Sequence, residues 1–398
     1  MTWLTTPARF VLNEVDERGL RVGEDGELLS VSEYRGVVPR ATSASQQAAS
    51  EDTSHYKRCE PGQLVLNRLW AFRGGLGVSS LTGLVSPDYA VFDIDPSMDP
   101  RFVHYQTRST WFVAEMTKRL RGIGSPDASN GRAPRINTDD LGRIDMFTPP
   151  LDVQRRVAER LDLEIRHIDR LVTMNQAVVT KIRERFSRLI DHELETTAGP
   201  RVPLRFLLEI DPGKSQVASL DDAIEVTFVP MEAVGYGGNL PEAETRPLGD
   251  VRDGYTYFRD GDVTLAKISP SFQNGKGGLA SGLTNGVGFG TTELTVLRTL
   301  GDLDPPFLQY VVSSLNFRLR GAASMHGVAG QQRIERSFIE HFKAPVPCGQ
   351  EQRNIVDRLN AARLRHDELI HKIGAQVQLL EQRRQSLLTA AVTGQLTV

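Results

Sequence analysis

The chain repeats itself once at a spacing near 198 residues, and this repeat limits the possible folds more than any other feature. Ile136 corresponds to Ile334, Gln154-Arg155 to Gln352-Arg353, Leu161 to Leu359, Ala177 to Ala375 and Leu189-Ile190 to Leu387-Leu388, each pair 198 apart. Toward the N-terminus the register slips by only one or two positions. Arg9-Phe10 meets Arg205-Phe206, and Gly62-Gln-Leu-Val-Leu66 meets Gly261-Asp-Val-Thr-Leu265. Solenoids and propellers repeat every 20–50 residues or so, so a unit of this size is a duplicated domain with its connector. Two similar but non-identical modules suit the reading of two different half-targets held at a fixed distance.

With 398 residues, each half has sequence enough for its own core. A hydrophobic fraction of 39% and a charged fraction of 24% fit a soluble globular class. Met1-Thr-Trp-Leu-Thr-Thr-Pro7 has no basic segment followed by an apolar run, and no stretch reaches the roughly 18 apolar residues of a membrane span. The expectation is a cytoplasmic protein. Cys59 and Cys348 occupy non-equivalent places in the two halves, which argues for reduced thiols rather than a disulfide or a cysteine metal site.

The net charge of −3 gives no support for a polyanionic partner, but its distribution does. Between Arg101 and Arg135 stand seven basic residues, Arg101, Arg108, Lys118, Arg119, Arg121, Arg132 and Arg135, against Glu115 and Asp127. The matching stretch Ser313 to Arg336 carries Arg318, Arg320, Arg333 and Arg336 against Glu335. A lone charge run is usually a solvated face. Basic excess at equivalent places in both halves favours a phosphate-facing surface.

From Gln154 to about Glu195, apolar residues recur at steps of three, four or seven: Val157, Leu161, Ile165, Ile168, Val172, Val179, Ile182, Phe186 and Leu189. Ile355, Leu359, Ala362, Leu369, Ile373, Val377, Leu380, Leu387 and Ala391 repeat the stripe from about Gln352, and neither stretch contains proline. Each predicts a helix of about 60 Å, and two such stripes most economically pack on each other, antiparallel. Pro149-Pro150 and Pro345-Val-Pro347 stop the structure before them, and Gly199-Pro200 closes the first helix. The remainder reads as mixed α/β, with strand-like runs at Leu64-Val-Leu66, Ala90-Val-Phe92, Val263-Thr-Leu265 and Leu294-Thr-Val-Leu297. Ser43 to Ser54 reads as a mobile loop. The fold class is α+β with a pseudo-twofold internal repeat. It comprises a first mixed α/β domain at 1–150, a long helix at 151–198, a second mixed α/β domain at 199–347 and a C-terminal long helix at 348–398.

Catalytic signatures are missing. Asp211-Pro-Gly-Lys-Ser215 lacks the first glycine of a phosphate loop, because that position is Leu208. Gly286-Val-Gly-Phe-Gly290 has the wrong spacing for a dinucleotide fingerprint and reads as a glycine-rich turn. Thr148-Pro-Pro-Leu151 lacks the polar amide or acid and the aromatic of an amino-methyltransferase motif, and caps a helix instead. The eight histidines show no metal-ligand spacing. The expectation is a non-catalytic chain.

In the second half, Leu265-Ala-Lys-Ile-Ser-Pro-Ser-Phe-Gln-Asn-Gly-Lys-Gly277 leads on to Gly288-Phe-Gly-Thr-Thr-Glu-Leu-Thr-Val-Leu297. In the first, Gly62-Gln-Leu-Val-Leu-Asn-Arg-Leu-Trp-Ala-Phe-Arg-Gly-Gly-Leu-Gly-Val78 leads on to Val85-Ser-Pro-Asp-Tyr-Ala-Val-Phe92. Both resemble the target recognition domains of the specificity subunit of type I restriction-modification systems. Arg383-Arg-Gln-Ser-Leu-Leu-Thr-Ala-Ala-Val-Thr-Gly394 is similar to that family's C-terminal helix.

This resemblance implies a non-catalytic subunit that reads an asymmetric bipartite site in double-stranded DNA and docks methyltransferase subunits, expected in two copies. A motor-nuclease subunit would join through the complex. No cofactor is expected on this chain; S-adenosylmethionine, ATP and Mg would sit on the partners. A coiled-coil scaffold that binds proteins and never DNA is the alternative. For base reading, Asn67, Gln273 and Asn274 carry the paired donor and acceptor that adenine requires, while Arg68, Arg73 and Lys267 could read guanine or grip phosphate. Glycines beside Lys276 and Arg73 allow close backbone approach. His326, Gln331 and Arg333 form a second candidate loop, matched by Asn130, Arg132 and Arg135. Trp70, Phe72 and Phe272 are expected in the core, on strands with one buried face.

Overall fold

The computed structural model describes residues 3–18, 26–32, 36–40, 54–120, 135–235, 244–327 and 332–396. Residues 43–53 of the expected mobile loop, together with Arg121, Asn130, Arg132 and Gln331, lie outside them. Two compact units emerge: residues 1–175 with 374–398, and residues 176–373. Each therefore contains part of both long helices, which run Leu151–Thr196 and Gly349–Val392.

The two units repeat one topology. In the first, Thr5–Pro7 pairs antiparallel with Asp145–Phe147, and a four-stranded sheet follows in the order Leu12–Val15, Tyr89–Ile94, Leu64–Asn67, Leu76–Val78. A second four-stranded sheet orders Gly36–Pro39, Glu27–Ser32, Gly83–Val85, Lys57–Cys59, with its central pair parallel. The second unit matches strand for strand. Arg201–Pro203 pairs with Lys343–Pro345, and one sheet orders Leu208–Ile210, Leu294–Thr299, Val263–Ala266, Gly277–Leu279. The other orders Glu244–Pro247, Glu225–Val229, Val287–Gly290, Thr256–Arg259, again with a parallel central pair.

One expectation fails here. Val287–Gly290 is a central strand, not a glycine-rich turn. A Cβ on Gly288 would come within 2.3 Å of the Phe258 ring, so the glycine is there to admit that ring and not to bend the chain. Asp211 is a loop residue as expected, with φ 52° and its carboxylate accepting from the Val296 amide. The two thiols are free, and burial pushes the Cys59 thiol up to about 11.

Short helices pack against the first four-stranded sheet of each unit, and their capping is duplicated. Ser109 accepts from the Phe112 amide and Ser314 from the Phe317 amide, each satisfying an orphan donor of the helix that follows. The first core gathers Phe92, Phe102, Phe112 and Met146 with Val157, Leu161 and Ile165 of the first long helix and Leu388 and Ala391 of the second. The other gathers Phe272, Phe307 and Phe317 with Ile190 and Leu194 of the first long helix and Ile355 and Leu359 of the second. A buried glutamine begins each long helix. Gln154 donates to Pro149 and Ser97 carbonyls and accepts from the Asp99 amide; Gln352 donates to Pro347 and Asp302 carbonyls and accepts from the Asp304 amide.

The helix segments run alongside each other within each unit. Arg384 reaches Asp169 at 3.7 Å in the first. In the second, Phe186 meets His366 edge-on and Arg358 bonds Glu193 at 2.8 Å, a pairing in which one sequence rises as the other falls, hence antiparallel. The apolar stripe is buried only where it meets a globular core. Val172, Val179, Ile182, Ile373 and Val377 are half-buried and Leu369 is exposed. No helix among the described residues is long and apolar enough to cross a membrane.

Candidate nucleic-acid interface

In both units one strand of the first sheet ends in a loop, and a sequence-distant segment is stitched onto it. The first loop spans 68–75, between Leu64–Asn67 and Leu76–Val78, and the second spans 267–276, between Val263–Ala266 and Gly277–Leu279. The Ile136 amide donates to the Arg68 carbonyl at 3.3 Å, and the Ile334 amide donates to the Lys267 carbonyl at 2.9 Å. The duplicated isoleucine noted from sequence thus performs the same task twice, holding the second candidate segment against the first. In the second unit Arg333 also bridges both Ile268 and His326, and the Ser269 amide donates to the Gln332 carbonyl.

Local sequence explains the turns. The Asn67 carboxamide accepts from the Leu69 amide at 3.1 Å and donates to the Tyr89 hydroxyl at 3.2 Å, so this nearly buried side chain starts the loop instead of projecting from it. Gly74, at φ 73°, closes the turn at Ala71–Arg73 in the left-handed region that favours glycine. Gly277, at φ 146°, would place a Cβ 2.3 Å from the Thr264 carbonyl oxygen, which no other residue could tolerate. Beneath the second loop lies the half-buried Arg318, whose guanidinium donates to the Gln273 carbonyl and the Ser187 hydroxyl, both at 3.4 Å. Burial lowers the pKa of Arg318, and Gly275 leaves room for its side chain.

The candidate side chains divide into held and outward groups. Arg68 bonds Glu14 at 2.6 Å and Thr138 at 3.1 Å; Arg333 clamps Glu293 through two bonds of 2.6 and 3.0 Å. Those bonds keep the Glu293 carboxyl below the usual carboxylate range. Arg135 lies 3.5 Å from Asp88, and His326 lies 3.2 Å from Glu335 while standing largely in solvent. Lys276 donates to the Met231 carbonyl at 3.2 Å. Lys267 is half-buried beside Lys214 and Tyr257 in a cavity of about 190 Å³, and Asn274 is exposed. Gln273 is half-buried, and its side-chain oxygen has no partner.

The remaining described cations of the first basic stretch are held by the protein itself. Arg101 bonds Asp99 and Asp162, Lys118 and Arg119 both bond Glu115, and Arg108 is buried. Phe272 is wholly buried, as the sequence indicates, but Trp70 is 47% exposed with the Arg73 guanidinium 5.2 Å above its ring. It sits before a 3₁₀ turn, not on a strand, so no alternating face buries it. Sequence reasoning missed Trp70 as a surface group, and missed Glu14 and Glu293 as the carboxylates that set arginine geometry. Gly75, whose Cβ would fall 2.9 Å from Trp70, was the available signal for the first; nothing local marks the two glutamates. Among the described residues no group of acidic, histidine or cysteine side chains could hold a metal.

Over 182 residues the chain is 37% identical to the specificity subunit of the type I restriction enzyme EcoAI and 36% identical to that of EcoEI, both from Escherichia coli. The chain is a relative of the type I restriction specificity subunits. The alignment takes in 44% of this chain and spans 30% of the length of each curated relative. No family model matches. A fold likeness extends across the whole chain: a structure from a study of complex assembly and conformational transition in a type I restriction-modification system overlays 99% of it and 98% of the other chain. That overlay has a TM-score of 0.64 at 14% identity.

Proposed function

We propose that this chain is the sequence-reading subunit of a type I restriction-modification complex, engaging a bipartite double-stranded DNA site with one unit per half-site. The observation that carries this reading is one topology present twice, with the same backbone stitch under loops of different sequence, Arg68 to Gly75 and Lys267 to Lys276. A shared frame with divergent tips is what two different half-sites require, since phosphate contacts position a protein and base-edge contacts discriminate. Residues 1–150 and 199–347 are the recognition domains on this reading, and 151–198 and 348–398 are the spacers.

Arg73, stacked on exposed Trp70, and exposed Asn274 are the side chains best placed to reach DNA. Arg68 and Arg333, preset by Glu14 and Glu293, act as oriented guanidiniums. Asn67 shapes its loop. The chain is not itself an enzyme: S-adenosylmethionine belongs to methyltransferase partners, ATP and Mg to a motor-nuclease subunit, and the assembly works in the cytoplasm. Exposed Leu163 and Met174 in the first unit and Leu364 and Leu369 in the second give the long helices apolar surface for the methyltransferases.

The test is methylome sequencing of a host expressing this chain with a type I methyltransferase subunit from the same organism. A new bipartite methylated motif is expected. An unchanged methylome, together with no salt-dependent binding to duplex DNA, would leave the protein-binding scaffold instead.

A further inference from the structure

Two exposed aromatic residues have no place in the DNA-reading surface. Phe10 is 63% exposed and Phe206 64% exposed, at equivalent points of the two units. Each carries its neighbouring arginine over the ring, Arg9 at 5.0 Å and Arg205 at 4.7 Å from the ring centre. Among the described residues neither guanidinium has a hydrogen-bond or ion-pair partner. Each pair lies on a 3₁₀ turn, Ala8–Phe10 or Leu204–Phe206, fixed at its start by a backbone bond: Ala8 to Ile144 at 2.8 Å and Leu204 to Phe342 at 2.9 Å.

Strand register places these turns away from the loops. After the first turn the sheet begins with Leu12 opposite Ile94, whereas the 68–75 loop leaves beside the pair Asn67 and Tyr89. Five residues along one strand separate those points, roughly 16 Å at 3.3 Å per residue. The second unit repeats this, with Leu208 opposite Thr299 and Ala266 opposite Leu294. The Arg–Phe turns are instead adjacent to the strands Asp145–Phe147 and Lys343–Pro345, which lead directly into the long helices.

We infer that Arg9-Phe10 and Arg205-Phe206 are twin docking points for two copies of one protein partner, the methyltransferase subunit of the proposed function, on which this inference rests. The loops differ between units because the half-sites differ. A surface that stays the same in both units meets the same partner twice. The chemistry matches a protein surface: a phenyl ring seeking an apolar socket and a pre-oriented guanidinium able to take a carboxylate in a fork, the residue types concentrated in interface centres. In the first unit a cavity of about 210 Å³ lined by Arg9, Leu12, Phe92, Asp139, Leu141 and Arg143 adjoins the turn and can receive a partner side chain. The surface is continuous with the roots of the helices proposed to carry the same partner.

The test uses full-length chain co-expressed with a type I methyltransferase subunit from the same organism, read by native mass spectrometry and by affinity for duplex DNA at fixed salt. Two methyltransferases per wild-type chain are expected. Phe10→Ala or Phe206→Ala should weaken one copy by on the order of tenfold or more, leaving a one-copy species, and the double variant should lose both. Arg9→Glu with Arg205→Glu should do the same by charge reversal, independently of any effect of removing a ring. Wild-type stoichiometry and affinity in both double variants would overturn the inference while leaving the function intact. So would lost duplex affinity with methyltransferase binding unchanged, which would place DNA on these turns. A wild-type chain that binds no methyltransferase would overturn both readings.

Discussion

The two units share their frame and differ at their tips, and the difference separates what holds the protein together from what is proposed to read DNA. Both set a buried glutamine at the start of the long helix, both cap a short helix with serine, and both tie a loop to an isoleucine amide. Their buried charges are unrelated: the first unit encloses Lys57, near Asp16 at 3.6 Å, while the second encloses the fork of Arg298 on Asp262 at 2.8 and 2.7 Å. The loops diverge further, one built on Trp70 and Arg73, the other on Phe272 and Lys276. If the frame is generic and the tips specific, exchanging a whole unit should have the largest effect. Replacing residues 200–347 with the second domain of another family member should change one half of the methylated motif completely and leave the other untouched. A change in both halves would break the modular comparison.

The frame itself can be tested next. Gln352 is fully buried and satisfies two carbonyls and one amide. Gln352→Leu strands all three, at about 1–3 kcal/mol for each group left without a partner. Hydrogen exchange should show loss of protection in the second unit alone, and Gln154→Leu should produce the mirror-image result. Equal loss in both units from either substitution would show that they do not hold their stability separately.

A third comparison exploits a non-repeated residue. His104 accepts from the Val78 amide at 3.1 Å, and burial among Arg108 and Arg384 pushes its pKa down to about 3; the aligned position in the second unit is Gln309, which does not titrate. The unfolded imidazole takes up its proton near 6.5, whereas the folded one stays neutral to about 3, so between those values the unfolded state binds more protons. Stability should fall with falling pH across that window, at up to about 1.4 kcal/mol per pH unit, and His104→Gln should flatten the loss. An unaltered acid profile in that variant would remove His104 as its source.

Much of this frame was legible in the sequence, because helix periodicity and strand alternation follow from burial and burial leaves a pattern. The long helices, the four strand-like runs and the pairing of Ile136 with Ile334 all follow from that pattern. The tips were less legible. Trp70 was assigned to the core because aromatics usually are buried, yet a tight turn placed it in solvent, and Gly286 to Gly290 looked like a turn because a strand glycine that yields space to Phe258 resembles a flexible one. The charge run from Arg101 to Arg135 could not reveal that Arg101 and Arg135 meet carboxylates distant in sequence, Asp162 and Asp88. Asn67, chosen for reading adenine, is engaged by its own backbone.

The loops give a smaller effect than the frame. Arg73→Ala and Lys276→Ala should each weaken DNA binding while sparing methyltransferase association. If the lost contact is to phosphate, the salt slope should drop by about one; if to a base, about 1–3 kcal/mol is lost and one position of that half-site relaxes. Arg73, exposed and stacked on an exposed ring, should show the greater loss, because Lys276 is half-buried. Wild-type affinity and selectivity in both variants would take these loops out of the interface.

The smallest expected effect concerns what the two units share. The first long helix is continuous for 46 residues, and in the second unit it pairs with the other helix at Phe186 and His366, which sets Thr180 opposite Lys372. Adding four residues after each of these positions extends both helices by about one turn, or 6 Å. It also returns the apolar stripe almost to its original face, so the antiparallel pairing survives. If the helices set the spacing between half-sites, the preferred spacer should lengthen by one or two base pairs, since duplex DNA advances about 3.4 Å per step along each strand. Both half-site sequences should stay the same, because no loop residue has changed. The measurement is the methylated motif produced by a folded insertion variant that still binds its methyltransferases. An unchanged spacer would transfer the setting of that distance from the helices to the contacts each unit makes with its partner.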